Sequence, residues 1–399
     1  MTKRAGALIA LMMVMIVASG ATGAEDTAFS AARQQRQAFR DDYMKKILEE
    51  KVVHPLVYAM AGLYTGKDVK GANKQLRNYL AEKAGKDGKF APKEAGDESV
   101  KWCMRGSLRI YYLFHDTSRF FPGRLEKDVQ AKLEEMFFKY GCYKSKVART
   151  DLKNIWHIHG SENHDMMEFS NAYLALQTVH TLDAYKGRTL PDGKTPTQHV
   201  TAWHKYYAHY CLERAKNGLF IEISPTYGKW FVGEFVNMYE FSEDPLVRKR
   251  MEMLLHLMWA DWSVDQLKGV RGGGKTRCYA GNYSQSGGGD SWDLMAGVLF
   301  GTSSWHWNSH GGMSTLVLQT SRYQLPDIVL DIALNKGDFK PFIFQSTRHA
   351  TLLTPCGKRV SRTVSRLRVC MRSIPAAWRR NSCTTVTTSP ITTRHWNVV

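Results

Sequence analysis

Three hundred and ninety-nine residues carry 55 Lys or Arg against 37 Asp or Glu, a formal charge of +18. That length supplies one large domain or two ordinary ones, with ample chain for a buried core. A hydrophobic share of 43% with 12% aromatic residues excludes a disordered, collagen-like or coiled-coil protein. The charge is unevenly placed. Lys3 and Arg4 hold +2, residues 339–399 hold eleven Lys or Arg and no acid, and residues 25–338 are left with +5. Bulk charge is therefore no argument for a polyanion partner.

Lys3 and Arg4 precede an apolar run from Ala5 to Ala18 and small residues through Ala24. This is the order of a secretory signal peptide over 1–24, and the run is shorter than the roughly 20 residues that span a bilayer. The expected mature chain is periplasmic or secreted, with no stable membrane insertion after signal cleavage. Helical spacing predicts helices over 29–51, 53–64, 70–85, 98–116, 124–140, 162–184, 197–216, 228–241, 245–267, 290–300 and 312–320. In the segment 245–267, Leu246, Met253, Leu254, Met258 and Trp262 recur at three- and four-residue steps. Thr195 and Pro196 mark a helix start, and Gly218 marks its end. Strand-like stretches are confined to 219–223 and 342–353. Consecutive helices without a strand series imply an all-α domain of packed helix pairs over 25–345.

From about residue 355 helical periodicity stops and acids vanish, while Arg, Ser and Thr dominate, as in Arg379-Arg380-Asn381-Ser382. Residues 346–399 read as a short β remnant followed by an irregular basic tail, the pattern of a shifted reading frame from about 355. The seven cysteines are widely spaced and form no CxxC pair, so neither a zinc knuckle nor a thioredoxin-type site is expected.

The densest reactive cluster runs from Trp156 to Asp165 and includes His157, His159, Glu162, Asn163 and His164. Ser161 is placed to cap the following helix, so Asn163 and His164 fall in its first turn. Free N–H groups and the positive dipole end suit a carboxylate there. The histidines and Asp165 are also metal-ligand types, but their spacing matches no HExxH helix, and no metal or cofactor is expected. A second cluster, Glu222-Ile223-Ser224-Pro225-Thr226-Tyr227-Gly228-Lys229-Trp230, projects Tyr227 from a helix entrance. A cation such as Lys229 favours phenolate. The run Gly269 to Thr276 fits GxxxxGK[ST] formally, yet a long helix precedes it where a phosphate loop needs a strand. Arg271, Lys275 and Arg277 suit carboxylate contacts instead. Trp305 to His310, with His306, adds rings suited to stacking on sugars.

Gly160-Ser161-Glu162-Asn163-His164 before a long helix, Glu222 to Tyr227 about sixty residues later, and the basic glycine loop together resemble an exported polysaccharide lyase of the heparinase II/III-like and alginate-lyase type. The resemblance implies an incomplete α/α toroid whose loops line a groove for acidic glycans such as alginate, glucuronan or heparan. It gives Asn163 and His164 the neutralisation of a uronate carboxylate and Tyr227 the acid–base role. Arg271, Arg277, Lys229, Trp156, His159, Trp230 and His306 are the expected substrate contacts, and nucleic acid is not an expected partner. Two alternatives are a toroid glycoside hydrolase using Glu162, Asp165 or Glu222 as its carboxylates, and a non-catalytic glycan-binding protein.

Overall fold

The computed structural model describes residues 29–50, 54–85, 87–90, 98–272, 290–302 and 312–335, together with the backbone of 342–353 and 359–370. Residues 1–24, where a signal peptide is expected, and the chain beyond 370 lie outside the described residues. The chain is all-α in its body. In order come α1 (Ser30–Glu49), α2 (Pro55–Thr65), α3 (Val69–Lys83), α4 (Glu98–Phe114), α5 (Lys127–Lys144), α6 (Glu162–Val179), α7 (Pro196–Asn217), α8 (Gly228–Phe241), α9 (Pro245–Asp265), α10 (Ser291–Leu299), α11 (Gly312–Gln319) and α12 (Asp327–Leu334). Short 3-10 turns at Val147–Thr150 and Leu152–Trp156 lead into α6. The first eleven helices stand where the apolar spacing put them. The twelfth was not foreseen: six of its eight residues, DIVLDIAL, are apolar, too uniform a run to show a period.

Local signals set the boundaries. Thr195 and Gln198 form a reciprocal capping box with Pro196 in the first turn of α7, and Gly218 ends that helix at φ 93°, as the sequence implied. The long α9 stops at Asp265 because the chain turns into a two-residue-loop hairpin, β1 (Gln266–Leu267) against β2 (Val270–Arg271). Lys268 and Gly269 have φ of 51° and 81°, the left-handed pair that such a tight hairpin turn requires. The buried stripe of α9 runs through Val247, Met251, Leu254, Leu255, Met258, Trp259 and Trp262. Leu246 is instead 48% exposed, so the apolar face is set one residue away from the expected start.

Alternate helices are the inner ones. The helix α6 buries fourteen of its eighteen residues and α8 twelve of its fourteen, so each is enclosed on all sides. By contrast α1 buries only Arg36, Tyr43, Met44 and Ile47, a single face. Packing runs from α2 to α4, α4 to α6, α6 to α8 and α8 to α11, and α11 returns to both α2 and α4. The helices α3, α5, α7 and α9 pack outside them. Where the inner helices converge the interior is polar. Arg109 of α4 is fully buried, with Nη1 donating to Asn237 Oδ1 at 3.0 Å and Nη2 at 2.6 Å from Glu240. Arg105, one turn earlier, lies 3.6 Å from Glu234, and both are fully buried. Gly233 makes room for it: a Cβ there would come within 2.7 Å of Arg105 Cδ.

Two β expectations need correction. Residues 219–223 form no regular strand, because the amides of Ile221 and Glu222 bond to the Glu162 carboxylate instead of a neighbouring strand. The backbone of β3 (Phe342–Leu353) is a strand as expected. It pairs antiparallel with β4 (Arg359–Cys370), from Phe342 opposite Cys370 to Leu353 opposite Arg359, where an irregular tail was anticipated. Val360, Thr363, Val364 and Val369 supply β-branched propensity in that stretch, which the abundance of arginine obscures.

Candidate active site at the helix entrances

The N-terminal turns of α6 and α8 and the first turns of α4 meet at one end of the body. Ser161 caps α6: its Oγ accepts the His164 amide at 3.4 Å and its hydroxyl donates to Asn163 Oδ1 at 2.9 Å. The cap thereby fixes the rotamer of Asn163. Asn163 is buried, whereas His164 is partly exposed, so His164 is the member of the pair with solvent access.

Glu162, next to Asn163 in sequence, has a different task. Its carboxylate accepts the amides of Ile221 at 2.9 Å and Glu222 at 2.7 Å and pairs with Arg214. Arg214 also donates to the Ile155 carbonyl at 2.9 Å and lies over the Trp156 ring at 4.2 Å. One buried carboxylate therefore fastens the 219–223 segment, α7 and the loop before α6 to the entrance of α6. Trp156, expected to touch substrate, instead covers this guanidinium.

The 219–223 segment delivers Tyr227 as the N-cap residue of α8. The Tyr227 amide donates to Ser224 Oγ at 3.3 Å, and its carbonyl accepts from Trp230 at 3.0 Å. α10 clamps the turn from behind. Ser291 N and Trp292 Nε1 donate to the carbonyls of Pro225 and Ser224 at 2.7 and 3.1 Å. Gly228 has to be glycine here, since a Cβ would fall 1.8 Å from Trp292 Nε1.

Trp102 of α4 joins the two entrances. Its ring meets His164 edge-on at 5.3 Å and Trp230 at 4.8 Å. Arg105 lies over the other partner, 4.5 Å from the Trp230 centroid, with the Lys229 ammonium 5.3 Å from the same ring. Burial, with Arg105 adding repulsion, pulls Lys229 down to about 8. Burial pushes Glu234 up to about 7 against the opposing pull of Arg105. Thus Asn163, His164, Tyr227, Lys229 and Trp230 stand on one set of helix entrances. Trp102 and Arg105 were missed by sequence reasoning, because inside an apolar helical run they look like packing and a solvated arginine.

The remaining expected contacts lie elsewhere or in other roles. Arg271 is 5% exposed. Its guanidinium is held by Asp261 at 2.9 Å with Asp265 at 3.8 Å, and its amide donates to Asp293. It is an internal ion-pair partner where a carboxylate-seeking loop cation was expected. His159 packs against His157 at 4.3 Å, and its amide and Nδ1 face Asp165 Oδ2 at 2.7 and 3.3 Å. Burial, reinforced by Glu168, pushes the Asp165 carboxyl up to about 7. Arg277 and His306 lie outside the described residues, as does Lys275. Among the described residues no cluster of His, Cys, Asp and Glu could hold a metal ion. Likewise no described helix is long and apolar enough to cross a membrane, and Cys103, Cys142 and Cys211 are unpaired thiols. Compared with protein-family models, curated proteins and solved structures, the chain matches none.

Proposed function

We propose that the chain is an exported polysaccharide lyase that cleaves a uronate-containing acidic glycan by β-elimination. The observation that carries this reading is the convergence of Asn163 and His164 with Tyr227, Lys229 and Trp230 at the entrances of two inner helices. The return of α11 to α2 supports an incomplete α/α toroid, with the cluster at one rim.

The reaction removes the C5 proton of a uronate and expels the oxygen on C4. Electrons of the C5–H bond become the C4–C5 double bond as the C4–O bond breaks, and the departing oxygen takes up a proton. The C5 proton is too weakly acidic until its neighbouring carboxylate is neutralised. The positive end of α6 and the His164 ring supply that, with Asn163 held by the Ser161 cap. Electrostatic stabilisation of the enolate-like intermediate is the larger contribution. Tyr227 takes the proton and returns one to the leaving oxygen, while Lys229 favours its phenolate. Trp230 and Trp102 offer faces for sugar rings.

A hydrolase needs two available carboxylates. Glu162, the most enclosed of the three candidates, is already committed to Arg214 and two backbone amides, and Asp165 accepts the His159 amide at 2.7 Å, which favours elimination. The deciding experiment is incubation with alginate, glucuronan, heparan and neutral glycans while following ultraviolet absorbance of unsaturated uronate ends. New chain ends without that absorbance would mean hydrolysis, and binding without new ends would mean a non-catalytic protein.

The pH dependence of binding gives a further check. Lys229 is protonated below about 8 and loses its charge as pH rises through that value. KM for the acidic glycan should therefore climb several-fold between pH 7 and 9, whereas Lys229→Arg should hold KM flat over the same interval. A wild-type KM that does not change with pH removes Lys229 from substrate binding.

A further inference from the structure

At the far end of α8 from Tyr227 lies a basic region that the proposed reaction does not use. At about 1.5 Å per residue, Glu240 is roughly 16 Å along the helix axis from Lys229. A cavity of about 480 Å³ opens there, lined in part by Arg119, Phe120, Tyr239, Arg248, Lys249 and Arg322. A second cavity, of about 330 Å³, is lined by Arg33, Arg36, Arg40 and the same Arg322. The segment 320–325 runs between them.

The carboxylates of the first cavity are occupied. Glu240 pairs with Arg109 at 2.6 Å and accepts the Arg322 amide, while Glu252 lies 3.0 Å from Lys249. Helix capping explains part of the arginine content. Arg119 donates to the Glu240 carbonyl, and Arg248 donates to those of Ser242 and Glu243 at 2.6 and 3.0 Å. Each of these caps uses a single guanidinium nitrogen, which leaves the other donors of the fork. In the second cavity Arg33 pairs with Asp327, and Arg36 holds the Tyr323 carbonyl at 2.7 Å. Arg40 reaches Gln37 at 3.0 Å and the Ser321 carbonyl at 3.4 Å.

Capping does not explain Arg322. It is exposed, and its guanidinium lies 4.4 Å from the Phe120 centroid, a ring that Arg119 also covers at 5.0 Å. Among the described residues that guanidinium donates no hydrogen bond to protein. Two guanidinium groups on one ring repel each other unless an anion joins them, and guanidinium forks recognise oxyanions in two-point fashion.

We propose that the two cavities, joined at Arg322, bind an anionic ligand carrying at least two oxyanion groups, carboxylate or sulfate, spaced along a chain. A single small ion fills only one of the two cavities, whereas a chain carrying several anionic groups reaches both, so the arrangement favours a multivalent ligand. This site is read from the cavities alone and stands independently of the elimination chemistry.

Titration calorimetry on the full chain tests it, using a tetrauronate, a sulfated tetrasaccharide and inorganic sulfate as probes at low and physiological salt. One or both oligosaccharides should bind, at least tenfold more tightly than inorganic sulfate, and affinity should fall as salt rises. Arg322→Gln should weaken that binding tenfold or more, while Lys186→Gln, at an exposed cation that lines neither cavity, leaves it unchanged. The substitution removes only an exposed side chain, and the Arg322 amide that meets Glu240 stays in place. The two oligosaccharides separate a carboxylate from a sulfate source. No binding by either one, or binding that Arg322→Gln leaves intact, overturns the site, whatever becomes of the lyase reading. Inorganic sulfate binding as tightly as the chains overturns its multivalent character.

Discussion

Tyr227→Phe should lower glycan turnover by about 10²–10⁴-fold, the usual contribution of a positioned acid–base group, and leave glycan affinity within a few-fold of wild type. The substitution keeps the ring and removes only the hydroxyl. Main-chain bonds help position residue 227: its amide on Ser224 Oγ, its carbonyl under Trp230, and the Pro225 and Ser224 carbonyls held by α10. None of these depends on the phenol oxygen, so the main-chain bonds of the helix entrance survive the change. The expected split is a collapse of kcat at saturating glycan with an almost unchanged Kd by calorimetry. An interaction made only in the transition state is lost in that way. Loss of binding with full turnover per bound chain would make Tyr227 a substrate contact and move the base elsewhere.

The helical frame was legible because burial leaves a periodic trace. Segments such as 245–267 alternate apolar and charged residues at the helical spacing, and Ser161, Thr195 and Gly218 announce boundaries by their capping chemistry. The trace fails where an element is uniformly apolar or its partner is remote. The helix α12, apolar at six of its eight positions, displays no period. The 219–223 segment has the composition of a strand, and only the carboxylate of Glu162, about sixty residues away, decides that its amides are not paired with a strand. The site was half legible for the same reason. Asn163, His164 and Tyr227 stand at helix entrances that capping residues mark. Trp102 and Arg105 come to them only through the packing of α4 against α6 and α8. Arg271 shows the opposite failure. Its glycine-rich neighbourhood suggests a solvated loop, yet a hairpin of two residues per strand turns it inward onto Asp261. Local sequence reports propensity and exposure, but not which buried acid a cation will find.

Loss of Glu162 should cost the fold heavily. Its side chain is 3% exposed and is the shared acceptor for Arg214, the Ile221 amide and the Glu222 amide. Glu162→Ala would leave a buried guanidinium without its counter-ion and two amides without their acceptor. Breaking a buried pair from one side costs about 3–5 kcal/mol, a large share of the roughly 5–15 kcal/mol that holds a domain together. Glu162→Gln is the gentler variant. It retains the volume and one acceptor oxygen but turns an amide N–H₂ toward other donors, so about 2–4 kcal/mol should still be lost. Urea unfolding followed by tryptophan fluorescence reads this as a lower midpoint at unchanged slope. Pairing the change with Arg214→Met isolates the interaction: the double variant should be less destabilised than the two single costs added together, because no buried charge is then left alone. Additive costs would mean that Glu162 and Arg214 act separately. Tyr227 should follow the same carboxylate, since the segment it fastens is the one that leads into the α8 entrance. In the Glu162→Gln protein, turnover should therefore fall well before the body unfolds, as urea is raised toward the midpoint. Turnover and fluorescence changing together would place the 219–227 segment in the same cooperative unit as the inner helices, with Glu162 fastening the whole body and not the site alone.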